Sequence, residues 1–202
     1  MTDQRIDVYL ICNAKYHDTN FSRLELLKLL AEHEDVWVRV ADSYADIEAI
    51  KNATLLITYT CDLCPTEQQQ HGLREFLENG GRWLALHGTN ALVEFVDGKA
   101  DTPDKAPHLM QSLGSRFVAH PAQQSFTVHV TDEAHPVTEG IEDFEIDDEP
   151  YYCEFFGDNK ILLEASYDTP STGYVRSNFG IDRKSQPQMY LHPVGEGEVL
   201  YM

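Results

Sequence analysis

Apolar residues follow two different spacings along the first ninety residues. Short, nearly continuous apolar runs, typical of buried strands, occupy 5–12, 36–40, 54–59 and 83–86. Between them, apolar residues recur at helical spacing over 21–33 and 44–52, and in a third segment that opens at 65–67 and stops at 80–81. This β-α-β-α-β-α-β order predicts a doubly wound, mainly parallel sheet with helices on both faces.

Polar residues and glycines mark the ends of these predicted helices. Asn20 or Ser22 is suited to cap the first helix, and Asp62 or Thr66 the third. The double glycine at 80–81 ends the third helix and leads into the fourth strand.

The pattern changes after residue 90. Residues 91–106 are polar and predict a loop or lid, and 107–113 predicts a helix ending at Gly114. Additional strands are predicted in this C-terminal half; they lie at 126–130, 141–146 and 160–165, with a closing hairpin of 188–191 and 198–201. Neither a repeat nor a linker is visible, so we expect a single domain over 1–202. The last strand runs to the end of the sequence, which leaves open a truncated C-terminus.

The charge balance restricts the partners. With 15 basic and 34 acidic residues the formal net charge is −19, which argues against nucleic acid and against an anionic membrane surface as partners. The sequence has no apolar run long enough to span a bilayer, and its start lacks signal-peptide features, so we expect a cytoplasmic protein. The four cysteines are expected to be free thiols, because a lone Cys61-x-x-Cys64 pair is weak evidence for metal or redox chemistry.

Histidines in turns are the first candidates for chemistry. Four of the nine histidines, His17, His87, His120 and His135, lie in turns next to predicted strands or helices. Loops that follow strands one and four of a doubly wound sheet meet at the same edge, so we expect His17 and His87 to be neighbours. His33 and His71 are expected on helix surfaces, His129 in a structural role, and His108 at its helix start.

The second candidate is the acidic and aromatic segment 147–152, Asp-Asp-Glu-Pro-Tyr-Tyr. Its carboxylates are suited to bind a metal, to act as a general base or to bind the hydroxyls of a sugar. Histidine with carboxylate is a common ligand set for zinc, and a carboxylate can equally orient a histidine that acts as base. A solvated acidic loop is the alternative for Asp147 and Asp148. The chain has no G-x-S-x-G, P-loop or G-x-G-x-x-G motif.

Seven short segments, spread over nearly the whole chain, occur in the same order as the motifs of a known protein family. They are Tyr16-His17-Asp18, 63–69 (LCPTEQQ), 80–88 (GGRWLALHG), 113–121 (LGSRFVAHP), 130–140 (VTDEAHPVTEG), Asp148-Glu149-Pro150-Tyr151 and 195–201 (GEGEVLY). Together they resemble the ThuA-like (trehalose utilisation) family of the class I glutamine-amidotransferase-like superfamily. The chain departs from the family pattern at Glu198, where an arginine is usual, and it ends before the Gly-His pair that usually follows.

The resemblance implies a flavodoxin-like fold and a role in the use of trehalose or a related sugar. Glutamine amidotransferases carry a nucleophilic cysteine in the turn after the strand that corresponds to 83–86. Here that turn is Leu86-His87-Gly88. An imidazole cannot form the thioester that glutamine hydrolysis requires, so we expect no glutaminase activity.

We therefore expect an enzyme, a hydrolase or lyase, that acts on a sugar derivative. His87, Glu149 and His17 are the predicted catalytic residues, and Tyr151, His120 and Asp148 are predicted to contact substrate. A divalent metal such as zinc, held by His17, His87, His120 and Glu149, is left open, as is a homo-oligomer. The alternatives are a non-catalytic sugar-binding or regulatory protein and a subunit that depends on a partner.

Overall fold

The computed structural model describes residues 5–132 and 134–202. Met1–Gln4, on which the cytoplasmic prediction draws, and Glu133 of the 130–140 segment lie outside the described residues. In order along the described chain the elements are β1 (Ile6–Ala14), α1 (Thr19–Leu30), β2 (Val36–Ala41), α2 (Ile47–Lys51), β3 (Leu55–Cys61), α3 (Glu67–Glu78), β4 (Arg82–Leu86), a 3-10 turn (His87–Asn90), β5 (Glu94–Val96), β6 (Lys99–Asp101), α4 (Pro107–Leu113), β7 (Ser115–Ala119), β8 (Gln124–Val130), β9 (Phe144–Asp148), β10 (Tyr152–Phe155), β11 (Lys160–Ala165), β12 (Gln186–Val194) and β13 (Gly197–Tyr201).

Nine of these strands form one mixed sheet. Their order is β2-β1-β3-β4-β13-β12-β11-β8-β9. The five strands from β2 to β13 pair in parallel. For β1–β4 this confirms the prediction from the first ninety residues, whereas the place of β13 beside β4 was not predicted. The remaining pairings are antiparallel, so "mainly parallel" is correct for only half of the sheet. The antiparallel part arises because β12 and β13 form a hairpin, and the hairpin places β13 beside β4.

Helices cover both faces of the parallel half. On one face α1 packs Leu26, Leu27 and Leu30 against a cluster that includes Val8 and Leu10 of β1. On the other face α2, α3 and α4 bury a larger core. Its central side chains include Ile50, Leu73, Phe76, Leu109 and Trp83. Alternate residues of each strand point to opposite faces, which is why a strand covered on both sides is apolar throughout.

Two predicted helix ends are confirmed, whereas α1 and α2 differ from the prediction. Helix α2 covers Ile47–Lys51 in place of 44–52, and α1 ends at Leu30 in place of residue 33. Thr66 caps α3 in a capping box with Gln69, and Gly114, with φ +75°, ends α4. Helix α1 begins at Thr19, earlier than predicted, and Asp18 caps it in place of Asn20 or Ser22. The Asp18 side chain accepts a hydrogen bond from the Phe21 amide at 3.0 Å.

Three segments differ from the expected elements. Residues 91–106 contain the antiparallel hairpin β5–β6, and its turn residues Asp97 and Gly98 both have positive φ. Strand β9 covers Phe144–Asp148, whereas 141–146 was predicted, because Ile141 still belongs to a turn and bonds back to Thr138. The two-stranded sheet of β7 and β10 was not predicted.

None of the helices in the described ranges is both long and apolar enough to cross a membrane.

Candidate functional site

Four of the predicted site residues converge at the carboxyl end of the parallel strands. His17 follows β1, His87 follows β4, His120 follows β7, and Glu149 follows β9. The rings of His17 and His87 lie 4.5 Å apart, centre to centre, in an edge-to-face arrangement. The expected meeting of the loops after the first and fourth strands is therefore observed.

His87 is held in an unusual backbone conformation. Its φ is +49°, in the left-handed region that a residue with a side chain rarely adopts. The end of β13 supports this turn from both sides: the His87 amide donates to the Met202 carbonyl at 2.6 Å, and the Tyr201 hydroxyl donates to the His87 carbonyl. Two neighbouring strands of the sheet thus position the imidazole.

The next residue, Gly88, lets this turn lie close against β3. A Cβ at Gly88 would be 2.9 Å from the Cβ of Cys61 and 3.1 Å from the Thr60 carbonyl oxygen. Any larger residue would therefore push the turn, and His87 with it, away from the strand.

Glu149 lies between two of the histidines. One carboxylate oxygen is 3.6 Å from His87 Nε2 and the other is 3.9 Å from His120 Nε2. Both distances exceed a direct hydrogen bond, so neither imidazole is bonded directly to the carboxylate. Asp148 accepts a hydrogen bond from the Glu149 amide at 2.8 Å, which supports the backbone that carries the central carboxylate.

Tyr151 connects this centre to the aromatic part of the site. Its hydroxyl is 3.1 Å from His87 Nε2, and its ring stacks at 4.9 Å on the same imidazole. Burial raises the pKa of Tyr151 well above its usual value, so the hydroxyl keeps its proton. The hydroxyl and His87 Nε2 share one hydrogen bond, in which the neutral tyrosine either donates or accepts according to the tautomer of His87.

The protonation of His120 follows from its own hydrogen bond. Nδ1 lies 2.6 Å from the carbonyl oxygen of Pro121, which can only accept. Nδ1 therefore carries a proton, and Nε2 is the atom that faces Glu149.

Burial also determines the charge of the central imidazole. Removal from water is the main cause that lowers the pKa of His87 to about 4; the neighbouring His17 lowers it as well, whereas Glu149 and Asp148 raise it. Burial lowers the pKa of His17 as well. Both rings are consequently neutral at neutral pH, and either can accept a proton.

Three cavities adjoin the cluster, and Glu149 lines all of them. An open polar cavity of about 340 Å³ is bounded by His17, Tyr59, His87, Gln123, Asp148 and Glu149. A second cavity, of about 150 Å³, has aromatic walls formed by Tyr16, Phe95, Phe117, Tyr151 and Tyr174. A third, also of about 150 Å³, extends behind His87 and Tyr151 into mainly apolar side chains of β8, β9, β11 and β12.

Some of the sequence candidates lie elsewhere. His135 belongs to a turn, where its Nδ1 accepts a hydrogen bond from the Val137 amide. Asp147 is exposed, but it lies in strand β9 and not in the solvated loop that the alternative expected. Cys61 is a buried free thiol whose pKa burial raises to about 12, so it is not a thiolate at neutral pH.

Four residues of the site were missed by sequence reasoning: Tyr59, Phe117, Gln123 and Tyr174. Tyr59 stands near the carboxyl end of β3, between the ends that carry His17 and His87, and this position was the available signal. Tyr174 lies in an irregular segment and contacts Phe117 and His120, which local pattern does not indicate.

The described residues bring three metal-binding side chains together at one place, away from the four proposed zinc ligands. Within the described chain, three donors from His, Cys, Asp or Glu approach within 4.8 Å of one another only at Glu67, His71 and His108. His17, His87, His120 and Glu149 do not contain such a group of three, so zinc at the cluster stays a prediction.

Comparison with known proteins decides the family. The family model described as ThuA, trehalose utilisation, matches residues 8–202. This chain belongs to the ThuA family. No curated protein sequence is significantly similar to it.

Solved structures agree with this assignment of the ThuA fold. A putative ThuA-like protein from Bacteroides uniformis superposes with a TM-score of 0.70 at 16% identity, over 100% of this chain and 82% of that one. A second, from Parabacteroides merdae, gives 0.65 at 18% identity over 98% and 78%. A β-galactosidase from Rahnella sp. R3 gives 0.63 at 16% identity, but this ThuA chain covers only 28% of it. At these identities the likeness concerns the fold alone.

Proposed function

We propose that this ThuA-family protein is an enzyme that acts on a sugar or an oxidised sugar by acid–base chemistry at the cluster of His17, His87, His120, Glu149 and Tyr151. The observation that carries the proposal is the position of Glu149. Its two oxygens face the Nε2 atoms of His87 and His120, and it borders all three cavities. A substrate group in any of these cavities would meet the same carboxylate.

The protons of the cluster support this role. The Tyr151 hydroxyl and His87 Nε2 are joined by one hydrogen bond, and His87 is neutral, so a proton can pass between the two residues without a charge already buried there. A substrate hydroxyl or a water in the cavity that His120 and Glu149 line would contact the carboxylate. Glu149 would remove a proton from that group, or from a carbon next to a carbonyl, and His120 would orient the group through Nε2. Either step serves a hydrolase or a lyase.

The walls of the site favour a carbohydrate as the substrate. A sugar ring has apolar C–H faces and a rim of hydroxyls. The second cavity offers aromatic faces from Phe117 and Tyr174, and the first offers carboxylate, amide and imidazole groups. This pairing of aromatic and polar walls matches the two kinds of surface on a sugar. Membership of a family described by trehalose utilisation is consistent with it.

The test is a substrate screen with a matched pair of variants. The purified protein is incubated with trehalose, other disaccharides and their keto forms, and products are followed by mass spectrometry. Glu149→Gln keeps the shape and removes the carboxylate, so we expect turnover to fall by about a hundredfold or more. Asp147→Asn removes one negative charge from the same segment at an exposed position, and we expect it to retain turnover.

Two outcomes would contradict the proposal. Equal loss of turnover in Glu149→Gln and Asp147→Asn would show that turnover depends on the negative charge of this segment and not on the Glu149 carboxylate itself. Calorimetric binding of a sugar without turnover of any compound in the panel would favour the non-catalytic alternative.

The lack of glutaminase activity, the zinc at His17, His87, His120 and Glu149, and a homo-oligomer stay predictions. Their measurements are ammonia release from glutamine, elemental analysis of the untagged protein, and light scattering in solution.

A further inference from the structure

We infer that Glu67, His71 and His108 form a site for a divalent transition metal that joins α3 to α4. One ligand atom from each of the three side chains lies within 4.8 Å of the others. His71 Nε2 is 3.9 Å from a Glu67 carboxylate oxygen, and the rings of His71 and His108 are 4.7 Å apart, centre to centre. The site is separate from the Glu149 cluster and does not depend on the function proposed for it.

The ligand set follows from the local structure. Glu67 and His71 are four residues apart on α3, so one turn of the helix places both side chains on the same face. His108 comes from the first turn of α4, which begins at Pro107. Two imidazoles and one carboxylate are a set that zinc and similar ions accept, with the remaining position open to water.

A buried glutamine keeps the two helix starts in register. Gln70, between Glu67 and His71 in sequence, accepts a hydrogen bond from the Leu109 amide at 3.3 Å and donates to the Pro65 carbonyl at 3.1 Å. Because this contact fixes the backbones, a metal would need only small rotations of side chains to close the present separations to roughly 3.3 Å. The side chains of Glu67 and His71 are exposed, so they are free to make these rotations.

The charge of the protein favours cation capture. A formal net charge of −19 raises the local concentration of divalent cations around the surface. The Glu67 carboxylate also supplies a negative charge that partly neutralises the positive charge of the ion. Helix capping is preserved, since Thr66 and Gln69, and not Glu67, form the capping box of α3.

The test is calorimetric titration of untagged, chelator-treated protein with Zn²⁺ at pH 7.5. We expect one ion per chain at this site in the wild type, and a loss of affinity of at least about tenfold in each of His71→Ala and His108→Ala. Glu67→Gln should weaken binding in the same direction. Zn²⁺ should also raise the melting temperature of the wild type by more than it raises those of the two histidine variants, because an ion that binds only the folded state stabilises it in proportion to its affinity.

Two controls separate this site from other histidines. His33→Ala removes an exposed histidine after α1, and the double variant His17→Ala, His87→Asn removes two imidazoles of the Glu149 cluster. Both should retain the ion at Glu67, His71 and His108; an additional ion that only the double variant loses would belong to the zinc site predicted at the Glu149 cluster. The proposal is wrong if the wild type takes up no zinc, if His71→Ala and His108→Ala bind it unchanged, or if the double variant abolishes binding.

Discussion

His87 combines a strained backbone with a buried imidazole. A φ of +49° is costly for histidine, and burial holds its pKa near 4, far below the ordinary value of 6.5. Strain of this kind persists only where surrounding contacts impose it, and here two hydrogen bonds from the end of β13 do so. The result is an imidazole that stays neutral and points at Glu149 and Tyr151.

This pKa predicts a dependence of stability on pH. The unfolded chain protonates His87 near pH 6.5, whereas the folded protein does so only near pH 4. Folding stability from this residue is therefore complete above pH 6.5 and is lost as the pH falls toward 4, by up to about 3 kcal/mol. His87→Asn removes the titrating group, and asparagine tolerates a left-handed φ. We expect its free energy of unfolding in urea to fall less between pH 7 and pH 4.5 than that of the wild type.

The matched control for this measurement is His33→Asn, at an exposed turn. It should lose as much stability on acidification as the wild type does. An equal loss in all three proteins would mean that His87 does not resist protonation in the folded state.

Other histidines show why residue type alone does not define a site. His192 is buried, yet its two ring nitrogens are hydrogen-bonded to Asn159 and to the Gln111 carbonyl, so it is part of the core. His71 and His108 were expected to be a surface residue and a helix-start residue. Only the packing of α3 against α4 brings them together, because they are far apart in sequence.

Among the elements, the 3-10 turn after β4 tolerates little extra volume at Gly88. Gly88→Ala would place a Cβ 2.9 Å from Cys61 Cβ and 3.1 Å from the Thr60 carbonyl oxygen. Neither neighbour can rotate away, because one is at the root of its side chain and the other is backbone. We expect a loss of about 1–3 kcal/mol in the free energy of unfolding, measured in urea.

Gly173→Ala is the matched control, because a Cβ there meets nothing within 4 Å. Its stability should stay close to that of the wild type. If Gly88→Ala were as stable as this control, the close approach of the turn to β3 would not constrain the site.

Elements whose signal is local were predicted well. Strand β11 and helix α4 have the predicted bounds, and the Thr66 cap was one of the two residues proposed. The hairpin β5–β6 was missed because its strands are only three residues long and partly polar. Strand β7 was missed because it is paired with β10, which lies far along the chain, and pairing at that distance leaves no local period.

In the whole molecule, strand β13 contributes to the site from a distant part of the chain. β13 inserts beside β4, so residues 201 and 202 reach the turn that carries His87. Tyr201→Phe removes the hydroxyl that donates to the His87 carbonyl. We expect a loss of about 1 kcal/mol in the free energy of unfolding and a displaced NMR signal of the His87 imidazole.

Tyr152→Phe is the matched control, because it removes the same kind of hydroxyl from a tyrosine whose hydroxyl does not bond to His87. Its hydroxyl donates to the carbonyls of Tyr167 and Thr169, so stability should fall by a similar amount. The His87 signal should stay in place. A His87 signal that moves equally in both variants, or in neither, would contradict a specific role for Tyr201.

Periodicity, turn residues and the order of elements were sufficient to predict an α/β chain, a parallel N-terminal half and the meeting of His17 with His87. These features follow from local backbone preferences and from a topology rule that holds for such sheets. The direction of the remaining strands, the place of β13 beside β4, and the positions of His120, Glu149 and Tyr174 depend on contacts between residues far apart in the chain. The same is true of the pKa of His87, because burial and neighbouring charges exist only once the chain has folded.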